Sequence, residues 1–323
     1  MRTVMVCGAG GFIGNHLVAA LKKQGAFVIG TDIKLPEFDT SAADVFHLAD
    51  LSDANAVKQI LHPTIDEVYQ LAADMGGAGF IFSGDNDAAI MSNSVGINLN
   101  ILRGVVSNHI PKIFYSSSAC VYPFYNQESA NAPVMTEASA YPASPDSEYG
   151  WEKLFSERLY KNFHKNYGVD VRIARFHNVF GPLGTWQGGR EKAPAALCRK
   201  IVEVAPGGTV EIWGPGNQTR SFLYINECIE GIQRLMNSNY TDPINIGSSR
   251  MISINDLALL ISGIANKPIT INNVNGPRGV MGRNSDNQLI QSVLGWQPPD
   301  NLEHGLSQLY HWIEQQVNAR LSF

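Results

Sequence analysis

Tyr149 and Lys153, in the run YGWEK, are spaced so that a helix places them on one face. A free tyrosine titrates near about pH 10, and a neighbouring ammonium favours the phenolate and lowers that value. Tyr149 therefore reads as a base for a hydroxyl proton, with Lys153 as the charge beside it. Tyr-x-x-x-Lys alone also describes an ordinary exposed pair, so its surroundings must decide. Upstream lies SSSACVYP, Ser116 to Pro123, directly after the apolar run Ile113-Phe114-Tyr115. A cysteine at such a strand end is a small buried filler in most proteins. It is also an acid or base when a substrate sits beside it. The residues alone leave both readings of Cys120 open.

The chain begins with VCGAGGFIGNHL, in which Gly8, Gly11 and Gly14 form G-x-x-G-x-x-G. The pattern falls between an apolar strand and an amphipathic helix, the context that separates a dinucleotide loop from a chance glycine turn. Gly8 suits the tight turn, Gly11 the approach of a pyrophosphate, and Gly14 the close packing of helix on sheet. The free N–H groups of the first helical turn, at Phe12 and Ile13, point to the phosphates. Asp32 ends the next strand, where a carboxylate accepts from the adenosine ribose hydroxyls and repels a 2′-phosphate. The expected cofactor is NAD. Asp50 and Leu51, and then Leu71, Ala72 and Ala73, fall at later strand ends, where adenine and nicotinamide-ribose contacts are expected. Asn93 joins them from a long helix, or is a helix-stabilising polar residue.

These groups need elements to hold them. Apolar periodicity predicts strands at Thr3–Cys7, Ala26–Thr31, Glu67–Leu71, Lys112–Ser116 and Val169–Arg175. It predicts helices at 12–24, 54–61, 89–108 and 149–166 between them. Alternating strand and helix implies an α/β, Rossmann-type doubly wound parallel sheet. Residues 1–178 form the expected NAD-binding domain, with segments near 222–247 returning to it. Residues 179–323 form mainly a smaller substrate-binding lobe. Pro123 to Glu148, with Pro133, Pro142 and Pro145, is too long for an ordinary connection and reads as a functional flap over a site.

Composition narrows the partners. The net charge of −5 gives no basic footprint for nucleic acid or an anionic membrane. No apolar run approaches the roughly 20 residues of a membrane helix. The four cysteines are widely spaced and the eight histidines show no ligand spacing, so neither a disulfide frame nor a metal site is expected. A reducing, cytoplasmic location is the expectation. Trp151, Leu154, Phe155, Leu159, Tyr160 and Phe163 give helix 149–166 more apolar surface than one sheet face needs. A homodimer pairing this helix and helix 89–108 across a two-fold axis would bury the excess.

Taken together, the glycine loop, SSSAC, YGWEK and RFHNVFGP resemble the extended short-chain dehydrogenase/reductases that act on nucleotide sugars. LAADMGGAGF, SSACVYP, GTWQGGREKAPAALCRK, QTRSF and GRNSDN are similar to the GDP-mannose 3,5-epimerase family in particular. The resemblance covers nearly the whole chain. It implies that Ser118 orients the reacting sugar hydroxyl, and that Cys120 and Lys192 are the two acid/base groups of epimerisation at C3 and C5. It implies oxidation of C4 first, with Tyr149 as base and Lys153 on the nicotinamide ribose. It also assigns Gly76, Ser118, Asn178, Lys192, Lys200, Gln218, Arg220 and Arg283 to a GDP-sugar, GDP-mannose, which becomes GDP-L-galactose. Arginine forks suit the diphosphate. His177 reads as structural. A sugar-nucleotide 4-epimerase needs no Cys120–Lys192 pair, and a non-catalytic NAD or sugar-nucleotide sensor needs no intact Ser118, Tyr149 and Lys153.

Overall fold

Strand β1 (Thr3–Cys7) sends Val4 and Val6 to one face and Met5 and Cys7 to the other, and all four are fully buried. Both faces of its sheet must then be covered, which parallel strands joined by helices achieve. The computed structural model, which describes residues 1–131, 135–276 and 279–321, has this arrangement. After β1 come α1 (Phe12–Lys23), β2 (Phe27–Asp32), β3 (Val45–Leu48), α2 (Ala54–Ile60) and β4 (Glu67–Gln70). Next are α3 (Ala78–Ile81), α4 (Asp87–Ser107), β5 (Lys112–Ser118), α5 (Glu148–Tyr167) and β6 (Asp170–Phe176). The chain continues through β7 (Val179–Phe180), α6 (Ala193–Glu203), β8 (Thr209–Trp213), β9 (Thr219–Ser221) and β10 (Leu223–Tyr224). It ends with α7 (Ile225–Met236), β11 (Pro243–Ile246), β12 (Met251–Ser253), α8 (Ile254–Ile264), β13 (Thr270–Val274), β14 (Gly282–Arg283), α9 (Gln288–Leu294) and α10 (Leu302–Leu321).

The main sheet has the order β3-β2-β1-β4-β5-β6-β11, with every neighbouring pair parallel. The order reverses between β1 and β4, the switch point outside which doubly wound folds bind ligands. Helices α2, α4 and α5 cover one face through Val57, Ile101, Leu102, Val105 and Tyr160. Helices α1 and α7 cover the other, and α6, α8 and α10 extend that same apolar cluster into the C-terminal part. Two strands of the main sheet were not predicted as strands, although β11 lies in the segment near 222–247 expected to return to it. β3 is four residues with a histidine and two exposed positions, and β11 returns from far along the chain to pair with β6.

The described residues of the long connection from Pro123 to Glu148 form a wall held by a few buried side chains. It holds two 3-10 turns, at Phe124–Asn126 and Glu137–Ala140, and a bridge between Pro123 and Pro145. Met135 and Ala140 pack with Val121, Tyr122 and Leu154. Its polar composition concealed these few buried anchors. Pro133 lies outside the described residues.

Behind the strand end of β5, Glu157 of α5 receives Arg175 of β6 through Nε at 2.9 Å and Nη2 at 2.8 Å, and Ser117 Oγ at 2.6 Å. Both charged side chains are 3% exposed. A buried charge left without its partner costs about 3–5 kcal/mol. Glu157→Ala is therefore expected to lower unfolding free energy by about that amount in chemical denaturation. A loss below about 1 kcal/mol would show that the pair does not fix α5 to the sheet.

Candidate active site

The glycine loop is packed from within. Gly8 turns the chain at φ +82°, and a Cβ at Gly14 would fall 2.0 Å from the Gly8 carbonyl oxygen. Helix α1 begins at Gly11 with no side chain capping its first N–H groups, with Phe12 and Ile13 in its first turn. A similarly close approach falls on Gly10, which the motif reading passed over. A Cβ there would lie 2.1 Å from the carbonyl oxygen of Lys34, and its N–H donates to Asp32 Oδ2 at 3.0 Å. Asp32 also accepts from the Lys34 N–H. Burial pushes its carboxyl up, while these N–H groups pull it down. The N–H groups of Gly10, Lys34 and Ile33 use three of about four acceptor positions, so the carboxylate retains one for a ribose hydroxyl. An uncapped helix start and this carboxylate fit an adenine dinucleotide.

The remaining cofactor candidates sit around the same strand ends. Leu51 is buried and exposed Asp50 accepts from Ser52. Ala72 N donates to Gln70 Oε1, between half-buried Leu71 and Ala73. Asn93 is exposed and its amide donates to Asp74 at 3.4 Å. The buried asparagine of the same helix is Asn98, which no local pattern singled out. It accepts from Gln70 and Tyr160 and donates to Glu152 and Ser156.

β5 ends at Ser118, whose Oγ accepts the Cys120 N–H at 3.2 Å and starts a 3-10 turn at Ala119–Val121. That turn folds Cys120 back beside Ser118. Helix α5 starts at Ser147, which accepts from Gly150 N, and presents Tyr149 and Lys153 to the same place. Lys153, 2% exposed, donates to the Ser116 carbonyl at 2.9 Å and lies 5.6 Å from the centre of the Tyr149 ring. Tyr149 is hydrogen-bonded to Ser118.

The expected lowering of the Tyr149 phenol by Lys153 does not occur among the protein groups. Burial pushes the phenol up, and the charges of Cys120 and Glu152 push the same way. The Ser118 bond and the Arg283 guanidinium oppose them. Lys153 is itself pushed down by burial. Lys192, at the start of α6, is likewise pushed down by burial, with Cys120 pulling it back up. Cys120 and Lys192 are thus within electrostatic reach of each other, across a long sequence separation.

Arg283 joins this cluster directly. Its Nη1 donates to Cys120 Sγ at 3.2 Å and its Nη2 to Asp146 Oδ2 at 2.8 Å, while Nε donates to Gln127. Gln127 and Asp146 were missed because they lie 156 and 137 residues from Arg283 inside the polar wall. Arg220 is half-buried, desolvation and then the neighbouring Arg283 lower its pKa, and it donates to the carbonyls of Thr219 and Val280. Gly76 precedes Gly77, whose N–H bonds the Arg190 carbonyl and ties this loop to the segment carrying Lys192. Lys200 and Gln218 go instead with β8, donating to the carbonyls of Glu211 and Trp213. Asn178 bonds the Ser221 carbonyl at 2.9 Å. His177 is fully buried, bonded to Asn245, and pushed down to about 3 by burial, so it is neutral at neutral pH.

A doubly wound sheet with a glycine loop at its switch point and a buried Tyr-Lys pair defines an NAD-linked enzyme of the dehydrogenase type. The chain belongs to the NAD dependent epimerase/dehydratase family, whose model matches residues 4–247. It is 45% identical over 318 residues to GDP-mannose 3,5-epimerase of Arabidopsis thaliana, covering 97% of this chain and 82% of that protein. It is 44% identical to GDP-mannose 3,5-epimerase 1 of Oryza sativa subsp. japonica, with the same coverage. Among solved structures, UDP-glucuronic acid 4-epimerase from Bacillus cereus, in complex with UDP-glucuronic acid and NAD, superposes with a TM-score of 0.83 at 27% identity. That match covers 98% of this chain and all of the other.

Proposed function

We infer that the chain is an isomerase that epimerises a GDP-hexose at C3 and C5, converting GDP-mannose to GDP-L-galactose through a transient 4-keto sugar with NAD. One observation supports this reading beyond the family: Cys120, whose charge acts on Tyr149, also lies within electrostatic reach of Lys192. A 4-epimerase needs only the Tyr149–Lys153 pair. A second acid/base pair has work only where carbons flanking the ketone are inverted. The near full-length similarity to GDP-mannose 3,5-epimerases supports the choice of sugar nucleotide.

Gly8, Gly11, Phe12, Ile13 and Gly14 hold the pyrophosphate, Asp32 the adenosine ribose, and Asp50 and Leu51 the adenine side. Leu71, Ala72, Ala73 and Asn93 flank the nicotinamide ribose, which Lys153 also contacts. Bound NAD⁺ would accept the C4 hydride and give it back to C4 after inversion, so that no net oxidation results, and its positive ring would offset the burial of Tyr149. Ser118 orients the C4 hydroxyl, and Tyr149 takes its proton. The resulting carbonyl acidifies the hydrogens at C3 and C5. Cys120 and Lys192 then remove and return protons on opposite faces of each carbon. Burial that moves the Lys192 amine toward neutrality suits this exchange. Gly76, Asn178, Lys200, Gln218, Arg220 and Arg283 receive the rest of the GDP-sugar. In this reading residues 1–178, with 222–247, are the dinucleotide domain and 179–323 mainly the sugar-nucleotide lobe.

The working molecule is a homodimer in a reducing, cytoplasmic setting. Helices α4 and α5 frame a groove of about 540 Å³ lined by Met91, Val95, Glu148, Trp151, Glu152 and Phe155. Trp151 and Phe155 are 40% and 50% exposed. A second copy turned about a two-fold axis sets the same apolar helix faces against each other. The four cysteines are free and buried, and among the described residues no helix is long and apolar enough to cross a membrane.

Three outcomes test these statements. Cys120→Ala incubated with GDP-mannose in D₂O is expected to form a 4-keto sugar, trapped by borohydride, while losing about 10²–10⁴-fold of its epimerised product. Tyr149→Phe should form neither, and wild-type epimerisation by Cys120→Ala would return the thiol to filler and favour the 4-epimerase. Asp32→Ser should narrow the preference for NAD over NADP by about tenfold or more, the worth of charged hydrogen bonds; unchanged selectivity in titration removes Asp32 from the ribose. The double variant Trp151→Glu, Phe155→Glu should halve the mass in light scattering, and a wild type that is already monomeric rules the dimer out.

A further inference from the structure

Arg283 spends three of its five N–H donors on protein groups, the Gln127 amide, the Cys120 sulfur and the Asp146 carboxylate. The Arg283 and Asp146 side chains are 8% and 2% exposed. Asp146 is also bonded by Ser147 Oγ at 3.2 Å, and Ser147 starts the helix that carries Tyr149. One hydrogen-bonded unit therefore runs from the thiol, through the guanidinium and carboxylate, to the first turn of α5.

We propose that Asp146 is a positioning residue: with Gln127, it clamps the Arg283 guanidinium against Cys120 Sγ and so presents the thiol as a proton acceptor. The proposal rests on the reading of Cys120 as an acid/base group. A guanidinium N–H aimed at sulfur favours the thiolate. Without a carboxylate to hold it, Arg283 is repelled by the half-buried Arg220 near it. The groups facing Cys120 are Arg283 from β14, Arg220 from β9, Lys192 at the start of α6, and Tyr149 and Lys153 from α5. The carboxylates behind them are Asp146 on Arg283, and Glu152 and Glu157 acting on Lys153. Asp146 exerts two opposed effects on the thiol. Its own negative charge disfavours the thiolate, while its hold on Arg283 favours it. The sign of the change on removing it therefore tells which effect dominates.

The test is the pH dependence of iodoacetamide labelling of Cys120 in sugar-free protein, read by peptide mass spectrometry. Cys7, Cys198 and Cys228 are fully buried, and Cys120→Ser supplies the blank. Asp146→Ala should shift the labelling profile to higher pH and slow labelling at neutral pH by about tenfold. Arg283→Gln should shift it the same way, and Asp146→Glu should restore most of the wild-type profile. An unmoved profile, or one displaced to lower pH as loss of a negative charge alone produces, overturns the clamp. Circular dichroism checks folding. If Asp146→Ala does not fold, Gln127→Leu carries the test, with an upward shift expected and an unmoved profile fatal. The readout needs no turnover. A shifted profile in a protein inert toward GDP-mannose would sink the proposed reaction and leave the clamp, whereas an active epimerase with an unmoved profile does the reverse.

Discussion

The candidate active site depends on how closely α5 approaches the turn after β5. A Cβ at position 150 would lie 2.2 Å from the carbonyl oxygen of Cys120 and 2.9 Å from Pro145 Cβ. No side chain has room there, so glycine lets the helix settle against the turn. That contact puts Tyr149 and Lys153, which are local to the helix, beside Ser118 and Cys120, which are local to the strand end. The Glu157–Arg175 pair and the bond from Ser117 hold the helix at that depth from behind. The wall from Pro123 to Glu148 packs over the outer side and supplies Gln127 and Asp146.

Burying so many ionisable groups sets pairing against desolvation, and the two outcomes divide by chemistry. Desolvation prevails at Tyr149, Lys153 and Lys192, each moved toward its neutral form. A neutral amine at Lys192 suits proton exchange, whereas a phenol raised by burial at Tyr149 needs the positive ring of bound NAD⁺ before it can take a proton. Pairing prevails at Arg175, held by Glu157, and at Arg283, held by Asp146 and Cys120, both of which stay firmly cationic. A fixed guanidinium charge is suited to orienting and stabilising, not to proton transfer. The division of labour follows from which side chains have a carboxylate within hydrogen-bond reach.

Much of this was written in local pattern. The spacing Gly8, Gly11, Gly14 and the carboxylate at Asp32 follow from what a strand–turn–helix needs at its bend, and Tyr149 with Lys153 follows from helical periodicity. The doubly wound sheet followed from alternating strands and helices. Even so, Gly10 was passed over, because its constraint is the carbonyl of Lys34, which a motif of spaced glycines does not include.

What the tertiary structure decided is where distant segments converge. β11 pairs with β6 across a long separation, and Asn98 becomes the buried polar link from α4 to α5. Gln127 and Asp146 reach Arg283 across more than a hundred positions, 156 and 137, so no periodicity relates them. The direction of the Tyr149 shift also needed the fold. Sequence supplies a neighbouring lysine, but only packing shows that both groups are desolvated, and desolvation outweighs a charge that is itself being driven toward neutrality. Local backbone preference is encoded residue by residue, whereas burial and long-range charge pairing exist only once the chain has closed around them.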